Sequence, residues 1–134
     1  MKNNIALQVY SVREDMQKDF QGTLKLVKEM GYNGVEFAGL YGNSPADVKK
    51  MCEELGLVAL SAHVPYADLV ADMEGTIAAY KELGVKYVVV PYLTEKLRPG
   101  QEGFLTIFEV IKKLGTRLKE EGMILQYHNH DFEF

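Results

Sequence analysis

Three times along the chain an amphipathic run ends in an acid, an apolar residue and a glycine, then passes into a short apolar stretch. These are Glu29-Met30-Gly31, Glu54-Leu55-Gly56 and Glu82-Leu83-Gly84, with Glu120-Glu121-Gly122 as a looser fourth copy. Glycine just past a helix takes the left-handed conformation that closes the last turn, so each copy reads as helix, stop, strand. The runs before the stops have the helical period: Phe20, Leu24 and Val27; Val48, Met51, Cys52 and Leu55; Met73, Ile77 and Tyr80; Phe104, Ile107, Ile111 and Leu118. Ser44-Pro45-Ala46-Asp47 offers the second helix an N-cap hydroxyl, a first-turn proline and an acid that resembles a capping box. Pro65 and Gly75 are expected to divide the third run into a short turn and a main helix.

Strands are predicted near Ile5 to Val9, Gly34 to Phe37, Val58 to Ala62, Tyr87 to Val90 and Met123 to Tyr127. The segments between them are of crossover length, which gives a parallel sheet. Ile5, Leu7 and Val9 alternate with Ala6, Gln8 and Tyr10, and Val58, Leu60 and Ala62 alternate with Ala59, Ser61 and His63. One face is thus aliphatic and the other small or polar. A doubly wound sheet favours apolar residues on both faces, whereas a barrel carries functional polar groups at the upper end of its interior. A complete TIM barrel takes about 250 residues. The α/β fold expected for residues 1–134 is therefore the N-terminal part of a (β/α)8 barrel, about (βα)4 plus a fifth strand. A complete five-stranded flavodoxin-like domain competes poorly, because strand one has no Gly-rich phosphate loop after it and strand five no helix.

Composition narrows the function classes. A formal net charge of -4 and a pI of about 5.4 go against a nucleic-acid groove. The segment Met1 to Val12 is broken by Gln8 and has no continuous apolar region of a secretory signal, and no segment approaches a membrane span. Cys52 is the single cysteine, which excludes an internal disulfide or a cysteine-cluster metal site and suits a reducing, cytoplasmic setting. It is expected in the core.

The active face of a βα barrel lies at the C-terminal ends of its strands. Polar groups stand at four of the five predicted ends: Gln8 and Tyr10; Glu36; His63; and Tyr127-His128-Asn129-His130-Asp131-Phe132-Glu133-Phe134. Gln126, His128 and His130 share one parity, opposite Leu125 and Tyr127, which directs both imidazoles toward the barrel axis. Imidazole suits Zn, Mn and similar ions, and Asp131 or Glu133 can complete a shell or orient a ring. The alternative is that these residues only hydrogen-bond at a strand end. Glu36 ends an apolar strand on the interior side, where an unpaired carboxylate is costly, so it calls for a partner or a role. His63 is placed to meet a substrate hydroxyl or to pack at the barrel rim. Gln8 and Tyr10 are candidate pocket lining, and Asn129 joins them as a candidate substrate contact.

Leu7-Gln8-Val9-Tyr10-Ser11-Val12-Arg13, Gly31-Tyr32-Asn33-Gly34-Val35-Glu36, Ser61-Ala62-His63-Val64-Pro65, Gly84-Val85-Lys86-Tyr87-Val88-Val89-Val90-Pro91 and the Tyr127 to Phe134 run together resemble one family. It is the sugar-phosphate isomerase/epimerase group of xylose-isomerase-like TIM barrels, matched in order along nearly the whole chain. The resemblance implies a small-molecule sugar or sugar-phosphate substrate and a divalent metal, Mn, Mg, Zn or Co, at the C-terminal face. It also implies proton transfer next to a carbonyl. Carried over residue by residue, it suggests His63 and His128 or His130 as substrate-side or metal-side groups and Glu36 as a pocket acid; together with the strand-end reading this makes Glu36 and His63 the catalytic candidates and His128, His130 and Glu133 the metal candidates. Family members commonly take metal ligands from strands five to eight and have a buried glutamate on strand five. Here Gln126 lies within that strand and Glu133 beyond it, so the main acid/base pair is unassigned.

Two further readings follow. One is a non-catalytic fragment or assembly module whose open strand edges pair with a second copy or with a complementing C-terminal half, its distinguishing feature being the end of the chain at Phe134. The other is DNA repair, because related AP endonuclease barrels also place histidines and acids at these ends. The negative charge and the lack of an interleaved basic and aromatic cluster weigh against it.

Overall fold

The computed structural model describes residues 4–133, so the expectations placed on Met1 and Phe134 lie outside the described residues. Five strands are present: β1 (Ala6–Gln8), β2 (Gly34–Ala38), β3 (Val58–His63), β4 (Tyr87–Val90) and β5 (Ile124–Tyr127). They form one sheet in the order β1-β2-β3-β4-β5, and every neighbouring pair is parallel. The helices are α1 (Arg13–Lys18), α2 (Phe20–Glu29), α3 (Pro45–Leu55), α4 (Tyr66–Ala71), α5 (Met73–Leu83) and α6 (Ile107–Glu120). Sequential parallel strands joined by helices make a partial TIM barrel. The sheet is not closed: among the described residues β1 and β5 each pair on one side only.

The glycine punctuation works as the sequence predicts. Gly56 (φ 63°) and Gly84 (φ 89°) close α3 and α5 in the left-handed conformation, which a residue with a Cβ enters only at a cost. The start of α3 also matches: Ser44 Oγ accepts from the Asp47 N–H (3.1 Å) and donates to the Asp47 carboxylate (2.7 Å). The third helical run divides at a different residue from the one expected. Pro65 opens α4, but the break falls at Asp72, whose carboxylate accepts from the Gly75 N–H (3.0 Å) and caps α5. Gly75 sits inside α5 because a Cβ there would lie 2.1 Å from that carboxylate. Asp19 and Gly22 repeat the device at the start of α2. Phe104 lies in a 3-10 turn ahead of α6 rather than in the helix.

The core lies between the sheet and its helices. Val35 and Phe37 of β2 are fully buried, and the Phe37 ring stacks on Phe20 of α2 at 6.2 Å. Leu114 and Leu118 of α6 and Leu24 of α2 are likewise buried, as is Cys52. Burial pushes the Cys52 thiol up to about 11, so it behaves as an inert apolar group.

One strand differs from its predicted pattern. Val35 pairs with Ala59, but the next residue, Glu36, pairs with Ser61, so β3 carries a bulge. Ala59 and Ala62 both register with the helix-facing Val35 and Phe37. Val58 and Leu60 therefore share the inner face with Ser61 and His63 instead of opposing them, and with Ile124 of β5 they are exposed on that open face.

Candidate active site

Each strand ends where the chain turns toward the following helix, and those ends lie side by side because the sheet is parallel. At the end of β1, Gln8 bridges two elements. Its Oε1 accepts from the Tyr10 N–H (2.8 Å), which caps the 3-10 turn Val9–Val12, and its Nε2 donates to Glu36 Oε1 (2.7 Å). From β3, Ser61 Oγ donates to the other carboxylate oxygen at 2.5 Å, and His63 Nε2 lies 3.1 Å from Oε1. The bulge sets this pair, which shares one parity, on the Glu36 side of the sheet. Glu36 is thus held by three side chains from two neighbouring strands.

The electrostatics follow from that cradle. Hydrogen bonding from His63 is the largest influence on Glu36. Partial burial opposes it, and the bonds from Ser61 and Gln8 add to it, leaving the carboxyl at about 2 against an ordinary 4.5. Because the folded-state value is depressed, ionised Glu36 stabilises the fold fully above about pH 4.5, and that contribution is lost as the pH falls toward about 2. At about 1.4 kcal/mol per unit, and allowing for the part of the side chain that water reaches, it is about 2–3 kcal/mol. Glu36→Gln is expected to lower stability by about that much near neutral pH, with the gap to wild type narrowing in acid. Urea unfolding across that range checks it; a gap that stays constant with pH would show that Glu36 is not held as described.

Above the cradle a cavity of about 550 Å³ is lined at every strand end: Gln8 and Tyr10 at β1, Ala38 and Gly39 at β2, His63 and Pro65 at β3, Pro91 and Tyr92 after β4, His128 and His130 after β5. Asp68 and Tyr80, from α4 and α5, complete its wall. The three histidines form a row, with ring centroids 5.1 Å apart for His63 and His128 and 4.8 Å for His128 and His130. Phe132 stacks on His130 at 4.7 Å, and the Arg98 guanidinium lies 3.8 Å from the Phe132 ring centroid. This stack fixes the turn after β5 and with it the orientation of His130.

Of the residues singled out in the sequence, Gln8, Tyr10, His63, His128 and His130 meet at this cavity, and Glu36 lies in the cradle that adjoins it. Asn129 and Glu133 go elsewhere. They line a separate apolar groove of about 540 Å³ between α6 and the outer face of β5, with Phe104, Phe108 and Tyr127. The Glu133 carboxylate accepts from the Tyr127 hydroxyl and the His130 backbone N–H, and its nearer oxygen is 3.7 Å from His130 Nδ1. A bound metal needs donors at about 2.0–2.2 Å converging on one point. Among the described residues no three His, Cys, Asp or Glu side chains converge in that way. The set His128, His130 and Glu133 as placed does not fit a metal centre.

Ser61, Asp68, Tyr80 and Tyr92 escaped the sequence reading. Tyr92 follows β4 by two residues, and applying the strand-end rule to β4 would have found it. Ser61 shares its parity with His63, but its place opposite Glu36 depends on the bulge, and Asp68 and Tyr80 depend on how α4 and α5 fold back over the sheet, which no local pattern reports.

The family model for xylose isomerase-like TIM barrels matches residues 24–134. The chain belongs to that family. A sugar phosphate isomerase/epimerase from Parabacteroides distasonis superimposes with a TM-score of 0.80 at 28% identity, over 98% of this chain and 56% of its own length. A second such structure from the same organism gives 0.78 at 23% identity, over 97% and 52%. A xylose isomerase domain protein from Salmonella typhimurium gives 0.70 at 17%, over 95% and 49%, which shows the shared fold alone. The chain therefore spans about half the length of these xylose isomerase-like barrels. No curated relative matches the sequence.

Proposed function

We propose that this xylose isomerase-like chain is the substrate-binding part of a sugar or sugar-phosphate isomerase/epimerase, acting by proton transfer next to a carbonyl. The supporting observation is that all five strand ends contribute to one cavity that contains three imidazoles and adjoins an ionised carboxylate. Neutral hydrogen-bonding groups and the faces of Tyr10, Tyr80 and Tyr92 suit a hydroxylated carbon chain. Imidazole is the side chain that most readily accepts and returns a proton near neutral pH. Glu36, with three donors on its carboxylate, acts in this reading by holding His63 rather than by taking a proton itself. The divalent metal that the family resemblance implies would polarise the carbonyl, and it needs donors beyond those that converge here.

Val58, Leu60 and Ile124 are exposed on the open face, and both edge strands have unpaired backbone groups, so the 134-residue chain tends to pair with another copy or with complementing strands. A polyanionic partner is disfavoured, because Asp68 is the one charged side chain among the described cavity-lining residues.

The test is solvent deuterium incorporation at the carbon next to the carbonyl of aldoses, ketoses and their phosphates, with Mn, Mg or Zn added. The chain is assayed alone and joined to the remaining strands of the Parabacteroides distasonis relative, with light scattering on the same samples. Exchange is expected from the joined form and little from the chain alone, which is expected to self-associate. No exchange from any joined form with any substrate would sink the isomerase reading.

A further inference from the structure

Glu36 receives three donors, and this settles what the imidazole beside it has to offer. The carboxylate has no proton to give, so the His63 nitrogen 3.1 Å from it, Nε2, is the one that carries hydrogen. Gln8 Nε2 donates to the same oxygen, Oε1, and Ser61 Oγ to the other, which keeps the carboxylate from turning away. Gln8 is itself held by the Tyr10 N–H, and Ser61 is 3% exposed. In neutral imidazole one nitrogen donates and the other accepts. Nδ1 is then the acceptor, and no described group bonds it within the protein. His63 lines the cavity, so that lone pair is available to whatever lies there.

We infer that Gln8, Ser61 and Glu36 are positioning residues that lock His63 as the Nε2–H tautomer, making Nδ1 a hydroxyl-recognising acceptor for the uncharged, polyol part of the substrate. This rests on the isomerase reading and specifies which end of the substrate lies over β1 to β3. A phosphate or carboxylate group offers no proton to Nδ1 and would stand beside the negative Glu36 and Asp68, with no Lys or Arg among the described lining residues. A hydroxyl donates to Nδ1 and meets none of these penalties. The charged end of a phosphorylated substrate therefore points away from this half of the barrel.

Two-bond proton–nitrogen NMR on the histidine-labelled chain reads the tautomer directly. It is run at about pH 9, well above the ordinary imidazole value of about 6.5, with His63→Gln assigning the signals. Wild type is expected to show His63 in one tautomer, protonated at Nε2. In E36Q the amide can both donate and accept, so His63 is expected to populate both forms. On wild type, sorbitol is expected to move the His63 Nδ1 resonance, and inorganic phosphate at matched ionic strength to leave it in place. A mixed or Nδ1–H tautomer in wild type, a doubly protonated ring, or an E36Q variant with the wild-type tautomer overturns the positioning assignment. A shift with phosphate, or none with sorbitol, overturns the hydroxyl assignment, and both wild-type measurements stand even if E36Q does not fold. None of these readouts depends on turnover, so an inactive protein with a locked tautomer refutes the isomerase reading alone.

Discussion

His63→Ala is expected to lower kcat/KM of the joined, eight-stranded form by about 10–100-fold, the range for losing a hydrogen-bonding partner of the substrate. Circular dichroism should stay native. His63 is the group through which the cradle on β1, β2 and β3 reaches the cavity: Glu36 holds its Nε2, and its ring lies 5.1 Å from that of His128. Glu36 would keep its bonds from Gln8 and Ser61 in the variant, so the carboxylate is not orphaned and the fold has no strong reason to fail. The division between kinetic constants is informative. A fall in kcat and kcat/KM together means that the imidazole acts in the transition state, and a rise in KM with kcat unchanged means that it only binds. A kcat/KM within about threefold of wild type would remove His63 from the chemistry and leave the strand-end cavity without its central residue.

Phe37→Ala is expected to cost about 3–5 kcal/mol of stability, as large-to-small changes of buried aromatics do. Phe37 is fully buried on the outer face of β2 and stacks on Phe20, tying α2 to the centre of the sheet. A cavity there cannot collapse easily, because Val35 on the same face of the strand is also fully buried. The measurement is urea unfolding, with Phe132→Ala as the comparison. Phe132 also stacks on a ring, His130, but is 46% exposed, so its loss should cost under about 1 kcal/mol. Equal costs for the two variants would mean that the core does not lie between the sheet and its helices. Phe37 also neighbours Glu36, so partial loss of the acid-dependent stability of Glu36 is expected in the same variant.

The residues explain which expectations came through and which changed. The helix stops at Gly56 and Gly84 and the cap at Ser44 were legible because each depends on backbone geometry within a few residues. The placing of Gln8, His63, His128 and His130 on one side was legible because parallel strands must present their C-terminal ends together. The division at Asp72 was less so, since Gly75 reads as a breaker when taken alone and becomes a cap partner only with the carboxylate three residues before it. Glu133 shows a different limit. Its spacing from His130 allows a shared ligand set, but the turn after β5 bends it under Tyr127 and away from the cavity.

By itself the sequence determined a run of βα units, their glycine stops and a polar rim at the strand ends, since all three follow from short-range periodicity and conformational preference. Tertiary structure alone decided the bulge that sets Ser61 opposite Glu36, the three-donor cradle, and the separation of Asn129 and Glu133 from the histidines. The physical reason is range. A helix stop is decided over about one turn of chain, whereas the charge and orientation of Glu36 depend on partners 25 and 28 residues away. Only the register between strands brings those partners within hydrogen-bond distance.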